Sequence, residues 1–357
     1  MYCTSSKNFR INILERPSPN DLVFELINVD ASFANALRRI LLAEVPTIAI
    51  EKVYMWNNSS IIHDEVLAHR MGLIPINADP RYLEPFEEDD EPTERNTLVF
   101  RLMVSCKKSD EKKTGRKHQS DEEDGESEAM DQLVNGSDAD LVNAASEAAT
   151  TRPYKFPPDR PYTKDVYSSD IEWMPQGDQE ERLGTVGPVQ NDILIAKLRP
   201  GQVIELEAHA RVGNGKDHAK FSPVSTASYR LLPHVVLKEP VYDEVAEELA
   251  YVYEPGVFRL EPTDPTVDPP NTRVKAVVDN PYACTMSRNF MRHPDLAKAV
   301  EITRKPNHFI FSVESVGMYS PGVLVAEALR TLQRKCQRVM DLADEASSND
   351  PNRMDIS

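Results

Sequence analysis

Hydrophobic positions in this chain change their period several times, and each change marks an element. Over residues 8–27, Phe9, Ile11 and Ile13 alternate with Arg10, Asn12 and Leu14, the period of two expected of a strand. Pro17, Ser18, Pro19, Asn20 and Asp21 supply turn chemistry before the apolar run resumes at Leu22, so a hairpin is predicted. From Asp30 the period lengthens. Phe33, Leu37, Ile40 and Leu41 stand at i, i+4, i+7 and i+8, one face of a helix that Leu42 and Val45 widen. Asp30 reads as its N-cap, and Pro46 ends it by pushing the preceding residue out of the helical region, which places the helix at 30–44. Arg38 and Arg39 lie beside the apolar face rather than on it.

A strand at 47–56 and a short helix from Asp64 to Met71, stopped by Gly72, follow. Further strands are expected at 98–104, 166–173, 193–198, 203–211, 229–238 and 308–316. The strongest helix signal comes last, at 320–343, with Ser320 as cap and Pro321 at the first helical position, where its missing N–H costs nothing. Val325, Leu329, Leu332, Cys336 and Val339 follow one another at spacings of 4, 3, 4 and 3, the repeat of a helix seam. Leu324, Ala328 and Met340 broaden it, while Arg330, Arg334, Lys335 and Arg338 cover the other faces. A stripe that wide can cover a sheet with one side and a second chain with the other, and leaving it in water invites aggregation. A partner is therefore expected from the pattern alone.

The net charge of −17 argues against a chain that coats nucleic acid by itself, since phosphate neutralisation needs clustered Lys and Arg. The charge is uneven: residues 119–150 hold ten acidic side chains and no basic one. The stretch 107–150 opens basic, turns acidic and lacks aromatics, so it is expected to stay unstructured. Its basic part also fits a nuclear-import signal. No apolar run is long enough to predict a membrane span, and residues 1–7 show no signal-peptide pattern, which points to the cell interior. Cys3, Cys106, Cys284 and Cys336 are far apart, so reduced thiols are expected rather than disulfides or a zinc site.

Three stretches carry superficial chemistry. His63 and His69 are six apart and fall on different sides of a helix, unlike the two histidines four apart of a zinc protease, so a capped helix start with a packed His69 is expected. Gly213 and Gly215 lack the third glycine and the following helix of a phosphate loop. The acidic run at 87–91 lacks the glycine of a calcium loop and reads as solvated charge. No catalytic constellation and no cofactor site emerge. An enzyme built on the His63–His69 or Gly213 regions, and a homodimeric interaction module, stand as the rival readings.

Four segments, in order and spanning most of the chain, carry a family likeness. Residues 28–47 (NVDASFANALRRILLAEVPT), continued by 48–51 (IAIE), resemble the first helix of RNA polymerase alpha-type subunits. Residues 64–76 (DEVLAHRMGLIPI) resemble the lead into their insert domain, and 212–224 (VGNGKDHAKFSPV) their characteristic loop. Residues 307–339 resemble the last strand and helix of their dimerisation domain. The resemblance implies an α+β fold: a discontinuous dimerisation domain, an antiparallel sheet with two long helices at 8–52 and 229–343, interrupted by a mostly β insert at 53–228, with tails at 1–7 and 344–357. It implies a non-catalytic subunit that pairs with a smaller alpha-like subunit through Phe33, Leu37, Ile40, Leu41, Val325, Leu329, Leu332, Cys336 and Val339. It further implies docking of the two large catalytic subunits, with Arg38 and Arg39 at that contact, and of other small subunits, with DNA met only through the complex and no membrane involved. Cys106 is the only cysteine of the insert and Cys284 stands alone after it, too few for the zinc or iron–sulfur sites of some family members. That departure, the length and residues 242–308 resemble the larger alpha-like subunits shared by RNA polymerases I and III, which implies a nuclear, partly nucleolar, protein active in transcription of ribosomal RNA, 5S RNA and tRNA genes.

Overall fold

The computed structural model describes residues 9–86, 90–107, 162–264, 268–269 and 272–348. The charged stretch expected to be unstructured lies, from 108 onward, outside the described residues. So does part of the acidic run, at 87–89.

The chain forms two compact units: residues 1–47 with 214–357, and residues 48–213. The sequence reading placed its boundaries at 52/53 and 228/229; the later of these falls inside a continuous strand. In chain order the first unit opens with β1 (Arg10–Glu15), β2 (Asp21–Ile27) and α1 (Ala31–Ala43). The second unit holds most of β3 (Thr47–Asn58), then α2 (Asp64–Gly72), β4 (Ile76–Asn77), β5 (Thr97–Ser105), β6 (Lys164–Tyr167) and β7 (Ile171–Met174). It closes with α3 (Gln179–Leu183), β8 (Gly187–Pro188), β9 (Leu194–Leu198) and β10 (Val203–Gly213). The chain returns to the first unit through β11 (Val224–Leu237), α4 (Asp243–Val252), β12 (Phe258–Pro262), β13 (Val274–Val278), α5 (Pro294–Ala299), β14 (Val300–Ser315) and α6 (Pro321–Ser348).

The first unit is built on a four-stranded antiparallel sheet in the order β1-β2-β14-β11. Its strands alternate as a two-faced sheet requires. Leu22, Phe24 and Leu26 of β2, Phe309, Phe311 and Val313 of β14 and Ala227 of β11 turn to one face, where α1 and the first half of α6 cover them. Phe24 stacks on Phe311 with centroids 5.2 Å apart. Asp30 caps α1 by accepting the Ser32 N–H at 2.9 Å, as the sequence reading required.

The opposite face of this sheet is polar. Glu25, buried, sits across from Ile310, which in turn sits across from Arg230. Asn12 and Tyr282 donate to Glu25 at 2.8 Å each, and His308 lies 2.6 Å from it. Burial pushes this carboxyl up, but the three side-chain hydrogen bonds outweigh it and hold the pKa below the ordinary value. A separate core gathers Val235, Leu249, Tyr253, Phe258, Cys284, Phe290 and Leu296 beneath α4 and the β12–β13 hairpin.

The second unit carries a sheet ordered β3-β10-β5-β7. Leu98, Phe100, Leu102 and Val104 of β5 and Ile204, Leu206, Ala208 and Ala210 of β10 are buried, alternating with polar residues such as Arg101 and Glu205, which pair at 3.0 Å. The mixed architecture, with antiparallel sheets and few helices, is the expected α+β class. The strand expected at 166–173 is two strands split by a turn at Ser168–Asp170, where the Asp170 carboxylate accepts the Tyr167 N–H. The last helix runs to Ser348, five residues past its expected end.

Candidate functional site

α1 and α6 pack side by side on the sheet, and a groove of about 790 Å3 remains between them. Phe33 and Ala36 of α1, Leu329, Leu332 and Cys336 of α6, and Phe9 ahead of β1 line it. Phe9 meets Phe33 edge to face at 6.0 Å. The groove follows from the two periodicities. On α1 the buried line Ala34, Leu37, Ile40 and Leu41 points at the sheet, which turns Phe33 and Ala36 sideways. On α6, Leu324, Val325 and Ala328 point at the sheet, while Leu329 and Leu332 only graze it.

Beyond Leu332 nothing of α6 belongs to the core. Every residue from Gln333 to Ala346 is exposed, and past Cys336, the last residue on the groove, the helix runs on to Ser348. Its apolar seam continues regardless: Cys336 is exposed, Val339 is 66% exposed and Met340 is 58% exposed.

The nine seam residues therefore separate. Leu37, Ile40, Leu41 and Val325 are buried against the chain's own sheet. Phe33, Leu329 and Leu332 are half-buried on the groove, Cys336 is exposed at its end, and Val339 is exposed beyond it. Arg38 is half-buried and donates from Nε and Nη2 to Asn35 Oδ1 at 3.3 and 2.9 Å, whereas Arg39 is exposed. The sequence reading missed Phe9 and Leu342 as parts of this surface. Phe9 was legible only as a strand residue, and Leu342, 55% exposed, continues the apolar side of α6.

Glu44, just past α1, fixes where α6 leaves the body. Lys335 Nζ donates to both its oxygens at 2.8 Å and Lys216 Nζ lies 3.1 Å away. Burial raises the Glu44 carboxyl, but these two lysines outweigh it and hold the pKa below the ordinary value. Lys216 belongs to the segment 212–224, which closes over the end of α1. Its N–H donates to the Ala43 carbonyl at 3.1 Å, capping a helix end that would otherwise be unsatisfied. At Gly215 an added Cβ would lie 2.5 Å from the Leu42 carbonyl oxygen, so this approach requires glycine. Phe221 is buried and its carbonyl accepts from Thr47 Oγ1 at 2.6 Å.

The other candidate chemistry dissolves into structure. The Gly213–Gly215 turn leads into a single 3-10 turn, Ala219–Phe221, rather than an α-helix. His63 precedes α2 without a side-chain cap bond, and His69 is exposed rather than packed, a correction explained by Leu67 and Met71 taking the buried side of α2. Among the described residues no group of three or more His, Cys, Asp or Glu is placed to hold a metal ion. Cys106 and Cys284 are buried.

The model of the RNA polymerase Rpb3/Rpb11 dimerisation domain matches residues 23–336. The chain is 43% identical over 342 residues to the Homo sapiens protein named DNA-directed RNA polymerases I and III subunit RPAC1, covering 95% of this chain and 85% of that one. It is 36% identical to the Saccharomyces cerevisiae protein of the same name, over 93% of this chain and 86% of that one. It is 31% identical to the Arabidopsis thaliana DNA-directed RNA polymerases II, IV and V subunit 3, over 92% and 89%. A likeness that runs nearly end to end, through both segments of the first unit and the unit between them, means that the chain belongs to the RNA polymerase Rpb3/Rpb11 dimerisation-domain family.

Proposed function

We propose that this chain is the larger alpha-like, non-catalytic subunit of RNA polymerases I and III. It pairs with a smaller alpha-like subunit, and the pair is the platform on which the two large catalytic subunits assemble. The observation that carries this reading is the outer half of α6, a helix whose apolar seam continues after its own core has ended. Each large apolar side chain there contributes roughly 1.5–3 kcal/mol when fully buried. Four or five of them, with the groove beside them, offset an association cost of about 4–15 kcal/mol. The names of the relatives support the choice of polymerase.

The contact comprises Phe33, Leu329, Leu332, Cys336 and Val339, joined by Phe9, Met340 and Leu342. The segments 1–47 and 214–357 serve as the dimerisation domain and 48–213 as the insert. Arg39, exposed at the side of α1, reaches a large subunit, where a guanidinium fork binds carboxylates or carbonyls. Arg38, already bonded to Asn35, holds the helix surface beside it. DNA is met only through the assembled enzyme, and the protein works in the nucleus, including the nucleolus.

Co-expression with the smaller subunit tests the reading. A soluble 1:1 complex by light scattering is expected, with aggregation or self-association when the chain is made alone. Val339→Asp abolishes the complex. A stable monomer that ignores the smaller subunit, or full pairing by the Val339→Asp variant, overturns the assignment.

A further inference from the structure

Away from the helices, a cavity of about 720 Å3 opens between β11 and the segment 282–286. Arg230, Arg304, Tyr229, Leu231, Ala283 and Met286 are among its walls. In a chain with a net charge of −17, the described residues lining this cavity include two arginines and no carboxylate.

Arg230 is held in place. Its guanidinium donates to the Tyr282 carbonyl at 2.9 Å and the Cys284 carbonyl at 3.4 Å. That uses two of five N–H donors, leaving the others for a ligand. Two hydroxyls on the wall are already engaged: Tyr282 donates to Glu25 at 2.8 Å, and Thr285 donates to Glu254, which lies outside the lining. Met286 is held at φ 64°, a left-handed conformation uncommon for a residue other than glycine. One fixed and one exposed arginine, in a wall that also presents Leu231, Ala283 and Met286, suit a carboxylate carried on a side chain with carbon around it. A small inorganic anion would leave the apolar walls in water, and a nucleic acid would meet the repulsion of the whole chain.

We propose that this cavity is a docking pocket for an acidic segment of a neighbouring polypeptide, whose Asp or Glu side chain is received by Arg230 and Arg304. It lies on the polar side of the first sheet and does not rest on the pairing through α6.

The test uses the assembled complex purified through this chain. Arg304→Lys places a primary amine at the mouth of the pocket, and a carbodiimide joins such an amine to a carboxylate in direct contact. Mass spectrometry is expected to find residue 304 of the variant amide-linked to an Asp or Glu of another polypeptide. Arg304→Glu, at an exposed position that leaves the fold intact, is expected to lower retention of that polypeptide at least tenfold. A link only to carboxylates of this chain, no link at all, or unchanged retention in Arg304→Glu overturns the proposal. Suppression of the link by inorganic phosphate, but not by sodium chloride at equal ionic strength, marks a phosphate site and overturns it as well.

Discussion

The two halves of α6 carry the same seam and meet opposite fates. Leu324, Val325 and Ala328 are buried beneath the sheet of their own chain, while Cys336, Val339 and Met340, further along the helix, stand in solvent. Composition does not separate them. Reach does: the body ends near Leu332, and the helix does not. A buried half-seam contributes to folding, and an exposed one contributes only once a second chain arrives.

That difference is open to attack from both ends. In the inner half, Leu324→Ala should cost about 2–5 kcal/mol of folding stability, read by chemical denaturation of the paired protein, because it leaves a cavity against a packed sheet. The outer-half change Val339→Asp should move the chain's own unfolding by no more than ~0.5 kcal/mol while removing the partner. Equal effects of both changes on unfolding would erase the distinction.

Gly215→Ala sharpens the comparison at the point where α6 departs. The new methyl meets the Leu42 carbonyl and displaces the segment that brings Lys216 to Glu44, at a cost of about 1–3 kcal/mol. Hydrogen exchange at the end of α1 should rise with it. An unperturbed α1 would show that the strap is not fixed by this contact.

Tyr282→Phe probes the polar side of the first sheet and should cost about 1–3 kcal/mol, since buried Glu25 loses one of its donors. Burial first, and the bond to Glu25 second, push the Tyr282 phenol up to about 12. The folded state thus favours the neutral phenol. Its contribution is complete below the ordinary value of 10.0 and is lost as pH rises from there through about 12. The alkaline limb of the stability curve should flatten in the variant; an unchanged limb removes this role for Tyr282.

The smallest effect is expected from Lys335→Ala. The lysine is half exposed, so the loss should stay below about 1 kcal/mol and shrink in salt. Because Glu44 sits below its ordinary value of 4.5, the stability it brings is present above that value and is lost as pH falls through the lowered one. The acid limb should therefore soften slightly in Lys335→Ala, and a salt-independent loss would point to packing instead.

Local rules sufficed for much of this molecule. Asp30 and Pro46 bracket α1, Pro321 starts α6 and the alternation at Leu22, Phe24 and Leu26 makes a strand, because caps, prolines and side-chain period act over a few residues. The same rules did not reveal α4, a ten-residue helix of which only Ala246 and Leu249 are buried. Nor did they place the bend at Ser168–Asp170, where a side chain accepts from the backbone inside an otherwise strand-like run.

By itself the sequence determined that two helices are apolar along one stripe and that the stripe is wider than one sheet needs. Only the tertiary structure decided which part of each stripe is covered. It turned Leu37, Ile40, Leu41 and Val325 inward, left Phe33 and Leu332 on a groove and carried Val339 out of reach. The reason is that helical period is a property of neighbours in the chain, whereas burial depends on where a sheet joined from Arg10–Glu15, Asp21–Ile27, Val224–Leu237 and Val300–Ser315 comes to an end.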